Sequence, residues 1–397
     1  MNRELRVSVD ASTWPAGGAP LPATFPTSPL MHSINIPALL LIIGYITTPA
    51  HAFGISLSSY WAWVRYLHAI SNEPDLRITT SFADLDSHQK TILSDDFGMG
   101  APLHWLHDVM PFKAICDGRY FIERHAATTG ATINAAGKRG LSKSPDFVFQ
   151  DLNGIWHVLE CKGTQSGPGY RETQFKSGLQ QKRTIKFLNT PDSQNLVAGL
   201  SIGVEGVAPS DLKVIDPEPD QAGILRVDNL AAAKDAATRA MTARALRLSG
   251  FEAAANIVSA PTGKDPFSAY TSNARAERVR VETIERKTRL AEDELRDRGA
   301  REPFTSDGEQ FRGRSVQLDL SAAVSLGGLE ARKAYIVQGV SLEALEELAA
   351  APVTPGFIQD VHPLLSEALD KVSIEHDGGA ATLRVGKLFH AKIALEP

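Results

Sequence analysis

Asp146, Glu160 and Lys162 place two carboxylates and a lysine within two short apolar runs. Ser144-Pro145-Asp146-Phe147-Val148-Phe149 is followed by His157-Val158-Leu159-Glu160-Cys161-Lys162-Gly163, so polar residues punctuate the end of an otherwise apolar strand. Side chains alternate along a strand, which puts Glu160 and Lys162 on one face and Leu159 and Cys161 on the other. Two residues along one face span roughly 7 Å of backbone, so both groups can reach one metal-and-water site. His157 points away from Glu160 by the same parity.

The turn between the runs decides whether Asp146 joins them. A two-residue Asn153-Gly154 turn would pair Leu152 with Ile155 and set Asp146 opposite Cys161, on the wrong face. A three-residue loop, Leu152-Asn153-Gly154, pairs Asp151 with Ile155 and therefore Asp146 with Glu160. The residues suit the longer loop: Asp opens a type I turn, and Gly supplies the left-handed residue of the bulge that follows.

Two convergent carboxylates make a site for a hard cation such as Mg²⁺, with Mn²⁺ as its substitute. The expected ligands are Asp146, Glu160 and the backbone carbonyl of Cys161, whose thiol stays in the core. Such a cation polarises a phosphate and lowers the pKa of an attacking water, while Lys162 orients the water and stabilises the charge. A rival spacing, Pro191-Asp192 with Asp211-Leu212-Lys213, lacks the strand context: polar Ser193-Gln194-Asn195 follows Asp192.

Pro145-Asp146 and Glu160-Cys161-Lys162 resemble the signature of the PD-(D/E)xK nuclease superfamily, over roughly residues 90–216. The resemblance implies a restriction-endonuclease-like mixed sheet flanked by helices and Mg²⁺-dependent phosphodiester hydrolysis. It also implies a carboxylate from an upstream helix, for which Glu123 is the candidate, and a supporting Gln on the next helix. Gln174, with Gln181 two turns further on the same face, fills that role. Arg171, Lys176, Lys182, Arg183 and Lys186 would contact phosphates, or simply form the polar face of an amphipathic helix.

Elements that could position these residues can be read around them. Residues 3–9 read as a strand, Pro15 to Pro29 as an arm, and 36–70 as an apolar block in which Tyr60-Trp61-Ala62-Trp63-Val64 packs the core. The stretch 88–129 reads as helical, broken at Gly98-Met99-Gly100 and Pro111. His104, His107 and Asp108 are metal-ligand types, but no second pair matches them and a solvent-facing helix is expected. Strands are expected at 146–150, 155–162, 196–204 and 212–216, with a helix over 171–188. Asp216-Pro217-Glu218-Pro219-Asp220 marks a boundary.

Beyond it, 228–249 reads as an Ala-rich helix capped by Asp228. Residues 274–298, with eight basic and seven acidic residues, read as a solvated helix seamed by Ile284, Thr288, Ala291 and Leu295. Strands follow at 313–320, 334–340 and 381–395, with a helix starting near Ser341. The fold class is therefore α/β, with an N-terminal arm and apolar segment (1–75), a nuclease unit (76–216) and a separate α+β C-terminal unit (217–397) of unassigned role.

Composition is globular, 43% hydrophobic and 22% charged, with a net charge of -5 that counts mildly against a protein coating DNA and little against an enzyme with a local basic groove. Two cysteines, Cys116 and Cys161, exclude a disulfide framework and a four-thiolate zinc site and fit a reducing cytoplasm. The apolar run 37–57 carries Ala50-His51-Ala52, a small-x-small pattern of signal peptidases. Pro37, Gly44 and Pro49 interrupt it, so a buried strand or core helix is expected rather than an export signal or membrane span. The expected substrate is DNA, with RNA as the other candidate, cut in restriction or anti-phage defence. A homodimer or a partner protein of a defence system would complete the groove. The alternative is a non-catalytic nucleic-acid-binding or scaffold protein that reuses the fold.

Overall fold

The computed structural model describes residues 1–50, 65–130, 144–182, 184–188, 190–217, 225–260, 274–297, 301–326, 328–352 and 356–397. The Tyr60–Val64 aromatic run, most of the signal-peptidase pattern, Arg183 and residues 218–220 of the expected boundary lie outside them.

A seven-stranded mixed sheet carries the residues of interest, in the order β2-β1-β8-β7-β5-β4-β3. Its strands are β1 (Asn2–Val9), β2 (Leu30–Asn35), β3 (Phe112–Asp117), β4 (Phe147–Asp151), β5 (Trp156–Thr164), β7 (Asn195–Ser201) and β8 (Asp211–Ile215). β5 pairs antiparallel with β4 and parallel with β7. It is therefore a central strand, buried along its length except at Lys162. The short strands β6 (Ile185–Phe187) and β9 (Leu225–Val227) pair separately. The N-terminal residues are not a free arm: β1 pairs with β8 and carries β2 as the sheet edge.

The apolar run after β2 is a core helix, α1 (Ile36–Thr47), buried on all sides. Asn35 caps it by accepting from the Ala38 N–H at 3.1 Å, and Pro37 sits in the first turn, where its missing N–H costs nothing. No described helix is long and apolar enough to cross a membrane.

The next helix, α2 (Ser87–Val109), runs through Gly98-Met99-Gly100 instead of breaking there. The two glycines serve close packing. A Cβ on Gly98 would lie 2.6 Å from the Gly163 backbone of β5, and one on Gly100 would lie 2.4 Å from the Ile43 side chain of α1. α2 thus lies between the sheet and α1. The stretch read as helix up to 129 is interrupted by β3, and helix resumes as α3 (Gly118–Thr129). α4 (Pro168–Lys182) makes the crossover from β5 towards β7 and packs on both.

A second, six-stranded antiparallel sheet follows, ordered β10-β11-β12-β15-β14-β13. It comprises β10 (Glu302–Ser306), β11 (Glu309–Leu326), β12 (Leu329–Ser341), β13 (Val372–Asp377), β14 (Ala380–Val385) and β15 (Phe389–Glu396). The expected single strand over 381–395 is two, β14 and β15. α1 packs against this sheet on the side away from α2, and one hydrophobic core runs continuously through both layers.

α5 (Leu230–Leu248) joins the layers, contacting α3, β3 and β12. Its cap is Asn229, which accepts from the Ala232 N–H at 3.0 Å, rather than Asp228. Arg239, Arg244 and Arg247 of α5 are fully buried. Each is held by a carboxylate: Asp235 for Arg239, Asp117 for Arg244 and Glu252 of α6 (Glu252–Ser259) for Arg247. Burying a charge is tolerable only when it is paired and hydrogen-bonded in this way. The charged helix α7 (Ala274–Arg296) buries only Ala291 and Leu295 among its described side chains, so part of the expected seam is present.

Candidate active site

The register of the β4–β5 hairpin decides the geometry. Phe147 pairs with Leu159 and Gln150 with Trp156. The Asp151 N–H donates to the Ile155 carbonyl at 2.9 Å, closing the three-residue loop, and Gly154 has φ of +87°. That register sets Asp146 opposite Glu160. The Asp146 N–H donates to Glu160 Oε2 at 3.1 Å, and the Cys161 N–H donates to Asp146 Oδ2 at 2.7 Å.

Lys162 lies two residues beyond Glu160 on the same face and donates from Nζ to Glu160 Oε1. It also donates to Gln181 Oε1 at 2.9 Å, and Gln181 Nε2 donates to the Ser144 carbonyl at 3.2 Å. Gln181 is thus a strut between the lysine and the chain just before Asp146. α4 can sit this close because of Gly178, where a Cβ would lie 2.9 Å from Val197 and 3.3 Å from Glu160. Gln174 does not touch the lysine. Its Nε2 donates to the Gly163 carbonyl at 3.4 Å, so the supporting glutamine is Gln181.

Glu123, the expected upstream carboxylate, pairs with Arg119 of its own helix at 2.9 Å. Two further carboxylates act on Asp146 by their charge: Asp95 of α2, which feels Lys162 in turn, and Asp117 at the start of α3. Gly98 and Gly163 bring Asp95 there. A Cβ on Gly163 would lie 1.7 Å from the Ser94 carbonyl oxygen, so α2 rests directly on the β5 backbone beside Lys162. Asp95 leaves a faint trace in the sequence, lying three residues before a helical glycine.

Burial dominates the electrostatics. Glu160 is completely buried, and burial followed by the neighbouring Asp146 raises its pKa to about 8 in spite of Lys162. Asp146 and Asp95 are also raised, in each case first by burial. Burial alone would lower the Lys162 pKa, but Glu160 and Asp146 outweigh it and the net shift is upward. The site therefore holds more negative charge than its lysine can balance, a setting that favours a bound proton or a divalent cation.

The opposite face is packing. The Cys161 thiol is buried, and burial, then Asp146 and Glu160, pushes its pKa well up, which keeps it a protonated core group. His157 is buried against Phe149, with ring centroids 4.9 Å apart, and accepts from the Gln194 N–H at 3.0 Å. In the basic cluster, Arg171 is structural, held in the interior by Asp211 and Glu172. Lys176 and Lys186 are exposed.

Neither models of known families, nor curated proteins, nor solved structures match this chain.

Proposed function

We propose that the protein is a Mg²⁺-dependent nuclease that hydrolyses phosphodiester bonds at Asp146, Glu160 and Lys162, with DNA as substrate. One observation carries this: a fully buried carboxylate, a half-buried one and a lysine converge on one sheet face, with Asp95 adding further negative charge. The donors are hard oxygens and their charge is under-compensated, which suits Mg²⁺. Asp146 and Glu160 would hold the ion, with the Cys161 carbonyl as a third oxygen. When bound, the ion would supply Lewis-acid polarisation of the phosphate and a more acidic water. Lys162, steadied by Gln181, would stabilise charge on the phosphate. The Cys161 N–H holds Asp146 Oδ2, so the carboxylate would be set before substrate arrives.

A specific observation also favours a non-catalytic role. Glu160 is sealed from solvent and closed onto Lys162, an arrangement that a purely structural ion pair would share. Nicking of supercoiled plasmid in Mg²⁺, compared with EDTA, separates the two roles. Nuclease action requires a loss of about 10²–10³-fold in Lys162→Ala, which removes charge stabilisation, and at least as much in Glu160→Ala. Equal nicking by wild type and both variants, or none by any, leaves the scaffold role standing. A structured RNA in a parallel reaction assigns the nucleic acid. Restriction or anti-phage defence in the cytoplasm, with a homodimer or defence partner completing the groove, is added by analogy alone.

A further inference from the structure

A second cluster of chemistry-bearing side chains lies away from Glu160, at the C-terminal end of α2. His104 and Asp108 are four residues apart and share one face of that helix. His32 reaches them from the edge strand β2. Its Nε2 is 3.0 Å from His104 Nδ1 and 3.9 Å from Asp108 Oδ2. All three ligand atoms lie within 4.8 Å of one another. The sequence offered His104 and Asp108 but hid their partner, which lies more than seventy residues upstream.

We propose that His32, His104 and Asp108 form a binding site for a divalent transition-metal ion of the zinc class, stapling the edge strand to α2. The ligand set, two imidazoles and a carboxylate, is one that Zn²⁺ takes. Distances agree: tetrahedral Zn²⁺ with bonds of about 2.0–2.1 Å keeps its donors about 3.3 Å apart, so the imidazoles need open by only about 0.3 Å. His104 is buried and the His32 side chain is only 10% exposed, so both imidazoles are held out of bulk solvent.

Three further features fit a cation. The site sits in the last turns of α2, where the helix dipole is negative. His107 Nδ1 lies 3.1 Å from Asp108 Oδ1, in position to orient the carboxylate from behind. The Asp108 side chain is about half exposed (53%), which leaves an entry path and room for a water as the fourth ligand. The staple would also hold β2 at the sheet edge, where an unfastened strand can slip or pair elsewhere.

The test uses the full chain, stripped with EDTA and carrying Glu160→Gln so that the carboxylate site cannot contribute its full ligand set. Zn²⁺ is titrated by calorimetry, and Co²⁺ serves as a visible probe of geometry. The expected result is one equivalent of Zn²⁺ and a four-coordinate Co²⁺ spectrum. Both should be lost on adding His32→Gln, and affinity should fall about 10–100-fold on adding His107→Gln. Asp108→Asn, at a half-exposed position, guards against misfolding and should also lose the Co²⁺ spectrum. Undiminished Zn²⁺ binding in the His32 and Asp108 variants, or no binding at all, overturns the site and leaves a hydrogen-bonded histidine pair. The outcome is independent of whether the chain cuts DNA.

Discussion

Glu160 should make the metal-free protein less stable as pH rises, and replacing it with glutamine should remove that dependence. Its folded-state pKa of about 8 lies above the ordinary value of 4.5, so the folded protein holds a proton that the unfolded chain releases. The stability contributed by the neutral acid is complete below about 4.5 and is lost as pH rises towards 8. Within that window the slope is about 1.4 kcal/mol per pH unit, or about 4 kcal/mol between pH 5 and 8. Lys162 does not blur the window, because its raised pKa lies above 10.5 and its contribution is constant there. Other raised carboxyls, such as Asp96 and Glu294, are common to both proteins and cancel in the comparison. Urea unfolding in EDTA, pH 5 to 8, should show Glu160→Gln gaining on wild type by up to about 4 kcal/mol. Added Mg²⁺ should stabilise wild type most at the alkaline end. Parallel profiles for the two proteins would refute the inference that burial and Asp146 hold a proton on Glu160.

Three other perturbations test the scaffold around the site. Gly163→Ala drives a Cβ into the Ser94 backbone and should cost about 1–3 kcal/mol or more. It should lower nicking as α2 lifts Asp95 away, and an unchanged melting temperature would show that α2 does not rest on Gly163. Asp235→Asn leaves two buried guanidiniums, Arg124 and Arg239, facing a neutral amide, and should cost about 3–5 kcal/mol in urea unfolding. A loss under 1 kcal/mol would mean that the pairing is not what holds α5. Asp95→Asn removes a like charge from Asp146, whose carboxyl is raised first by burial and further by Asp95. The acid limb of the Mg²⁺-dependent rate profile should move to lower pH, and a limb that stays put would remove Asp95 from the site.

The hairpin was legible in the sequence because its determinants are local. Asp151, Gly154 and the alternation in β5 lie within a few residues of what they fix, so turn chemistry and parity together set Asp146 opposite Glu160. What contacts that face was less legible, because it depends on where α2 and α4 land. Gln174 has suitable chemistry and sequence position, yet the close approach of α4 at Gly178 brings Gln181 onto Lys162, and contacts at Gly98 and Gly163 bring Asp95 near the site. Gly98-Met99-Gly100 looked like a helix break because glycine lowers helix propensity. Packing against β5 and α1 overrides that cost. The burial of Arg244 and Arg247 on α5 had no signal in the sequence, because their partners Asp117 and Glu252 lie on other elements and the charges are paired only in the fold.

Arg244 gives α5 a reach beyond packing. It donates to Asp117 at 2.9 Å and to the Thr48 carbonyl at 2.9 Å, and its guanidinium lies over the Tyr45 ring. Asp117 immediately precedes Gly118, whose N–H donates to the Asp146 carbonyl at 2.9 Å and whose Cα leaves no room for a side chain beside Pro145. A tie-rod thus runs from the layer beneath the second sheet to the backbone that aims the Asp146 carboxylate. Trimming the chain to the segment that carries the motif would cut this rod as well as remove β1 and β2. The smallest piece able to aim Asp146 is therefore much larger than the hairpin that displays it.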